Sequence, residues 1–190
     1  MRVVENFVEV SVATHKPRFK SFFKSFESIY DDTHSFTVNV NGFDQECLDF
    51  AEKVENTFTG DNLTVVCSDI NWHYGDKAKF KPLNWFEHTG AYPDFFMTID
   101  DDIVYPPDYI KKMTTTCAEF GGIPVGVHAA SIFKKDTPLE NYFKQRLVKH
   151  FAFSSSRTFV NCLGTGTLCF SPKRVPITFD FFEKQHDRLL

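Results

Sequence analysis

At 190 residues the chain has the size of a single domain with a sizeable core. Its 42% hydrophobic and 24% charged residues are those of an ordinary globular protein, and a net charge of −4 argues against nucleic acid as a partner. No apolar run approaches the ~20 residues that span a membrane and no signal peptide is visible, so a cytoplasmic protein without a transmembrane segment is expected.

The elements follow in order. Phe7–Ala13 alternates apolar and polar residues and is expected to be a strand. Arg18–Tyr30 places Phe19, Phe22, Phe23, Phe26, Ile29 and Tyr30 at helical spacing, with Pro17 suited to the first turn. Ser35–Val40 reads as a second strand, ended by Asn41-Gly42. Asp44 then caps a helix that runs to about Asn56. Leu63–Val66 is a short third strand, Ser68–Asp76 a polar loop, and Ala78–Thr89 a helix closed by Gly90. An apolar strand at 94–99, a helix at Pro107–Glu119 and a strand at Pro124–His128 come next. A helix is expected at Leu139–His150, a glycine-opened strand at Gly164–Phe170, and a further helix from Phe182 that stops with the sequence at Leu190, as if the domain were cut from a longer chain. This alternation implies an α/β fold: a mostly parallel sheet of about six strands with helices on both faces. Cys47, Cys67, Cys117, Cys162 and Cys169 are odd in number and lack CxxC spacing; they read as buried thiols of a reducing compartment, with no zinc site. The 23 phenylalanines are unusual, and the sequence accounts for them only as core filling.

The most informative feature is Asp100-Asp101-Asp102, directly after the apolar run Phe95–Ile99 and shortly before Pro106 and Pro107. Three adjacent carboxylates at a core edge repel one another unless cations or hydrogen-bond donors offset them. Continued strand alternation would point Asp100 and Asp102 one way and Asp101 the other. Two carboxylates on one side suit a hard divalent metal, whose ligands are oxygens. In open α/β sheets ligands bind beyond the carboxyl ends of the strands, where the triplet lies. The plain alternative is a solvated acidic turn.

The segment Phe95–Ile110 resembles the DxD region of GT-A fold nucleotide-sugar glycosyltransferases. The resemblance spans roughly residues 7–170, is strongest around the triplet, and takes in glycosyltransferases of large algal viruses of the chlorella virus type. It implies one GT-A (Rossmann-like) domain over residues 1–190, with a nucleotide-sugar-binding half (1–102) and an acceptor-side half (103–190). It implies Mn2+ or Mg2+ as cofactor, a UDP-sugar such as UDP-glucose as donor, and a glycan or glycoprotein as acceptor. Asp100 and Asp102 would hold the metal and Asp101 the ribose.

Other positions acquire roles through the same resemblance. Thr14, Lys16 and Arg18 lie in the turn after the first strand, which in GT-A enzymes meets base, ribose and phosphate; solvated basic residues at a helix entry are the alternative. Asn41 resembles the polar residue that contacts uracil or ribose, although Asn-Gly also makes a plain turn. Trp72–Lys79 resembles a family 2 segment in which a glycine and a basic residue open the helix before the DxD strand. Lysines at 77, 79 and 81 spread around a helix and cannot all face one ligand; Lys77, just after Gly75 at the expected helix start, is the favoured phosphate contact. His128 could touch a sugar or be structural. Asn161–Thr167 resembles a glycine-rich acceptor-side loop, with Gly164 and Thr165 nearest a sugar; no Gly-Lys-Ser/Thr follows, which disfavours a P-loop. His186 resembles a late third metal ligand, and Asp187 or Glu183 a late base. A solvated helix face explains those three equally well. Rival readings are a HAD-like phosphohydrolase, whose nucleophile motif also ends an apolar strand, a sugar nucleotidyltransferase, and a non-catalytic nucleotide-sugar-binding module. The phosphohydrolase motif normally opens its fold, and the nucleotidyltransferase needs a glycine-rich loop that residues 7–20 lack.

Overall fold

The computed structural model describes residues 6–68, 75–132, 141, 144, 146–149 and 157–179. Nine strands and four α-helices are defined there: β1 (Val8–Thr14), α1 (Phe19–Glu27), β2 (Ser35–Asn41), α2 (Gln45–Thr57), β3 (Leu63–Ser68), α3 (Lys81–Thr89), β4 (Phe95–Ile99), α4 (Tyr109–Glu119), β5 (Val125–Gly126), β6 (Ala129–Ile132), β7 (Arg146–Lys149), β8 (Cys162–Leu163) and β9 (Thr167–Phe170). Short 3-10 turns, Lys16–Arg18 and Gly75–Phe80, lead into α1 and α3. The main sheet has the order β3-β2-β1-β4-β9-β5. The first four of these strands run parallel, and β9 is antiparallel to both β4 and β5. A second, antiparallel sheet has the order β7-β6-β8.

Val8, Val10 and Val12 of β1, Phe36, Val38 and Val40 of β2, and Met97 and Ile99 of β4 form one core with Phe22 and Phe26 of α1, Phe50 and Val54 of α2, and Met113 and Cys117 of α4. Eight of the 23 phenylalanines lie in or against this core. Phe26 meets Phe36 and Phe58 edge-to-face at 5.6 and 4.9 Å, and Phe22 meets Phe50 at 5.3 Å, the geometry aromatic quadrupoles favour. The opposite face of the sheet is covered by the 3-10 turn at Gly75–Phe80 and by α3, through Phe80, Leu83, Phe86, Phe96 and Phe170. Every residue of β1 and β4 is therefore buried. The polar members of the β1 alternation lie inside, not in water. Thr37 Oγ1 donates to Glu9 at 2.6 Å, and burial pushes the Glu9 carboxyl above the usual range.

The first four predicted strands and three predicted helices stand within a few residues of expectation. The helix expected from Ala78 begins at Lys81, after the 3-10 turn, and closes on Gly90 at φ +70° as predicted. The strand expected at Pro124–His128 shortens to β5, because the chain bends at Val127-His128 into the second sheet. A correction applies at Leu139–His150. Arg146–Lys149 is a strand, paired through Leu147 with Ser131 and Val148 with Ala130, so β-sheet partners override the helical spacing there. The helix expected from Phe182, and with it Glu183, His186 and Asp187, lies outside the described residues, as do Trp72, His73 and Tyr74. All five cysteines are free; Cys47, Cys117 and Cys169 are buried. No described helix is long and apolar enough to cross a membrane.

Asp44 caps α2, accepting the Cys47 N–H at 3.2 Å, and holds Lys16 at 2.5 Å. Asp44→Ala is expected to lower the melting temperature by about 2–4 °C, the effect of one lost cap in a domain of this size. An unchanged melting curve would show that the cap contributes nothing.

Candidate active site

β4 stops at Ile99, so the triplet forms a turn and strand alternation does not reach it. The three carboxylates meet different neighbours. Asp100 pairs with the Nζ of Lys79, which also lies 3.3 Å from Asp76. Asp102 pairs with the guanidinium of Arg18. Asp101 is 8% exposed. Burial raises its carboxyl above the ordinary range, against the opposing influence of Thr14, Arg18, Lys79 and His15. Thr14 stands beside it, yet neither Thr14 Oγ1 nor Asp101 Oδ2 completes a well-formed hydrogen bond.

The turn is held from below by α1. Ser25 Oγ shares its proton between the carbonyls of Asp100 (3.0 Å) and Ile103 (2.5 Å), and Ser28 Oγ accepts the Tyr105 N–H at 2.9 Å. Tyr105 ties it to the far end of the chain. Its hydroxyl accepts from the Asp100 N–H at 2.8 Å and donates to the Gly166 carbonyl at 2.7 Å, while burial pushes its own ionisation far up.

Gly166 belongs to the turn Gly164–Gly166, where the chain leaves the small sheet at β8 and enters the main sheet at β9. His128 lies at the reverse crossing, between β5 and β6. The two crossings are bonded together: the Gly164 N–H donates to the His128 carbonyl at 2.8 Å, and the His128 N–H donates to Thr167 Oγ1 at 3.0 Å. A pocket of about 270 Å³ opens at this seam, lined by Asp100, His128, Gly164, Thr165 and Gly166. Both glycines sit in close contact with a neighbouring side chain. A Cβ on Gly166 would run into the Asp100 carboxylate, and one on Gly164 would lie 2.8 Å from His128 Cδ2.

The structure thus brings Thr14, Arg18, the three aspartates, His128, Gly164 and Thr165 to one end of the sheet. It places others differently. Lys16 turns to α2, where its bonds to Asp44 and Glu46 hold its ammonium pKa up. Asn41 Nδ2 donates to the Gly75 carbonyl at 3.3 Å, tying the end of β2 to the 3-10 turn. Of the lysines after Gly75, Lys79 reaches the triplet, and Lys77 is half-buried on the same turn. A 3-10 turn has three residues per repeat, so 77 and 79 point apart, and Lys79, between the buried Ala78 and Phe80, is the one directed inward. Nothing in the sequence singles out Ser25, Ser28, Lys79 or Tyr105. The phenol and the serines carry no motif, and their role depends on contacts across 61 to 78 residues.

Among the described residues no three His, Cys, Asp or Glu side chains converge as a metal cage. Mg2+ and similar hard cations typically take one or two carboxylates and complete their shell with substrate phosphates and water. Asp102 at the mouth of the site and the unpartnered Asp101 Oδ2 beside it fit that mode.

No protein-family model matches the chain, and no curated protein sequence matches it. Its backbone does match solved structures. The mannosyltransferase PcManGT from Pyrobaculum calidifontis, in complex with GDP-Man and Mn2+, is 14% identical with a TM-score of 0.52 over 91% of this chain and 47% of its own. S. aureus TarS 1-349 in complex with UDP-GlcNAc is 15% identical with a TM-score of 0.55 over 90% of this chain and 48% of its own. The chain has the GT-A fold. It spans about half the length of these two structures. In GT-A terms the acidic turn follows the central strand β4, and β9 is the antiparallel strand set between β4 and β5.

Proposed function

We propose that this GT-A domain is a metal-dependent glycosyltransferase. It would move a sugar from a nucleoside-diphosphate sugar, with UDP-sugars favoured, to a hydroxyl of a glycan or glycoprotein. The observation that carries the reading is the acidic turn itself. Three carboxylates stand at the carboxyl end of the central strand, two of them paired with cations, and Asp100 lines a pocket together with Gly164 and Gly166. A solvated acidic turn would not bury Asp101 or hold Lys79 at 1% exposure. The PcManGT and TarS complexes support the donor class by likeness of fold.

Residues 1–102 would bind the donor and 103–190 the acceptor side. Asp102, with Asp101 close by, would hold Mn2+ or Mg2+, and His186 remains a further candidate ligand. When bound, the metal offsets the charge that develops on the departing nucleoside diphosphate. Thr14 and Asn41 would contact base and ribose, and Arg18 and Lys77 would offer charge to the diphosphate. Asp100, with about a third of its side chain exposed, frames with His128, Gly164 and Thr165 the pocket that would take the transferred sugar or its acceptor. Asp187 or Glu183 would accept the acceptor proton if the reaction inverts.

The test is thermal-shift screening of sugar nucleotides with and without Mn2+, on the wild type and on Asp102→Asn. Stabilisation by a UDP-sugar should need the metal and vanish in the variant, with a loss of about tenfold or more in affinity. Equal stabilisation with and without metal would sink the metal-dependent reading. Metal-dependent release of inorganic phosphate from simple phosphomonoesters would instead favour a phosphohydrolase.

A further inference from the structure

The two ion pairs at the acidic turn differ in whether they can open. Lys79 is 1% exposed, so leaving Asp100 would strand an ammonium in the core. Arg18 and Asp102 are 45% and 37% exposed, at the rim, and either can exchange its partner for water or a ligand at little cost. Arg18 also ends the 3-10 turn Lys16–Arg18, one residue before α1. Its backbone is fixed by the Arg18 N–H bond to the His15 carbonyl at 2.8 Å, while its long side chain remains free to turn.

We infer that Arg18 is an exchangeable counter-ion that couples metal binding to nucleotide binding. The inference rests on the reading of Asp102 as a metal ligand. In the free protein Lys79 and Arg18 offset all but one of the three carboxylate charges, so a bare divalent cation meets a nearly neutralised turn. A diphosphate changes this. Its oxygens are an alternative partner for the guanidinium fork, which matches phosphate as well as carboxylate. Arg18 moves from Asp102 to the diphosphate, and Asp102 becomes available to the cation that the same diphosphate brings. Metal and nucleotide then each favour the other, and by linkage the effect is reciprocal. The unpartnered, nine-tenths-buried Asp101 Oδ2 beside the pair is a second oxygen already positioned to benefit from the arriving charge.

The test compares the wild type with Arg18→Gln and Arg18→Lys. Mn2+ alone is titrated by its electron paramagnetic resonance signal, and UDP and uridine by calorimetry with and without Mn2+. In the wild type Mn2+ alone should bind weakly, and Mn2+ should raise UDP affinity by roughly tenfold or more, within the usual range of coupled sites. In Arg18→Gln, Mn2+ alone should bind more tightly, and its enhancement of UDP affinity should shrink by about fivefold or more. Uridine affinity should stay constant, and Arg18→Lys should restore part of the coupling. If Arg18→Gln leaves both Mn2+ binding and the enhancement unchanged, the coupling role is overturned while the metal reading stands. If the wild type shows no effect of Mn2+ on UDP affinity, the metal reading fails and the inference falls with it.

Discussion

Asp100→Ala should lower the stability of the fold by about 3 kcal/mol, whereas Asp102→Asn should leave it within about 0.5 kcal/mol of the wild type. The two carboxylates are one residue apart and differ in what they leave behind. Removing Asp100 leaves Lys79 buried, with only the solvent-exposed Asp76 at 3.3 Å to offset it. That is the costly way to break an ion pair, since the desolvation of the remaining charge is no longer compensated. The figure sits at the low end for such pairs because about a third of the Asp100 side chain is exposed. Removing the charge of Asp102 frees an arginine that is already half in water. Urea denaturation of both variants decides the matter. Equal midpoints would mean that Lys79 finds another partner and that Asp100 is not a structural carboxylate. The double change Asp100→Ala with Lys79→Met should recover most of the loss, because no buried charge is then left alone.

Gly166→Ala should reduce UDP-sugar affinity by about tenfold or more and cost about 1–3 kcal/mol in stability, the usual range for overpacking a closed site. The backbone at Gly166 is not in the left-handed region, so the penalty is one of contact and not of conformation. An added methyl group would displace the Asp100 carboxylate, and with it the Lys79 pair. Because the damage passes through Asp100, the same change in an Asp100→Ala background should cost much less. Additive penalties, measured by denaturation and calorimetry on the four proteins, would contradict this account.

The elements were legible where one face of a periodic segment met one core. Phe22, Phe26 and Ile29 at helical spacing, and the Val8–Val10–Val12 alternation, predict α1 and β1 because those residues do pack together. The triplet was legible for a different reason, since three carboxylates behind five apolar residues have few uses. What the sequence obscured depended on partners distant in the chain. Arg146–Lys149 has helical spacing but takes its structure from β6. Local reasoning offers Lys16 to a phosphate and gives Lys79 no role. Asp44 at the α2 cap captures Lys16, and the 3-10 turn carries Lys79 inward. Asp100 meets Lys79 and Asp102 meets Arg18 in a turn, since β4 ends at Ile99 and strand alternation does not reach them.

The place of β9 also constrains when the site can come into being. β9 is formed by residues 167–170 but sits between β4 and β5, both of which precede it in the chain. During synthesis the parallel strands β1 to β4 can assemble first, leaving one side of β4 without its neighbour. At that stage the Tyr105 hydroxyl lacks the Gly166 carbonyl, and Asp100 lacks the glycine that backs it. Closing a loop of more than 60 residues is slow compared with local pairing, so this insertion is expected late in folding. A nascent chain would therefore acquire its acidic turn well before it acquires a pocket, and ligand affinity would be the final property to emerge.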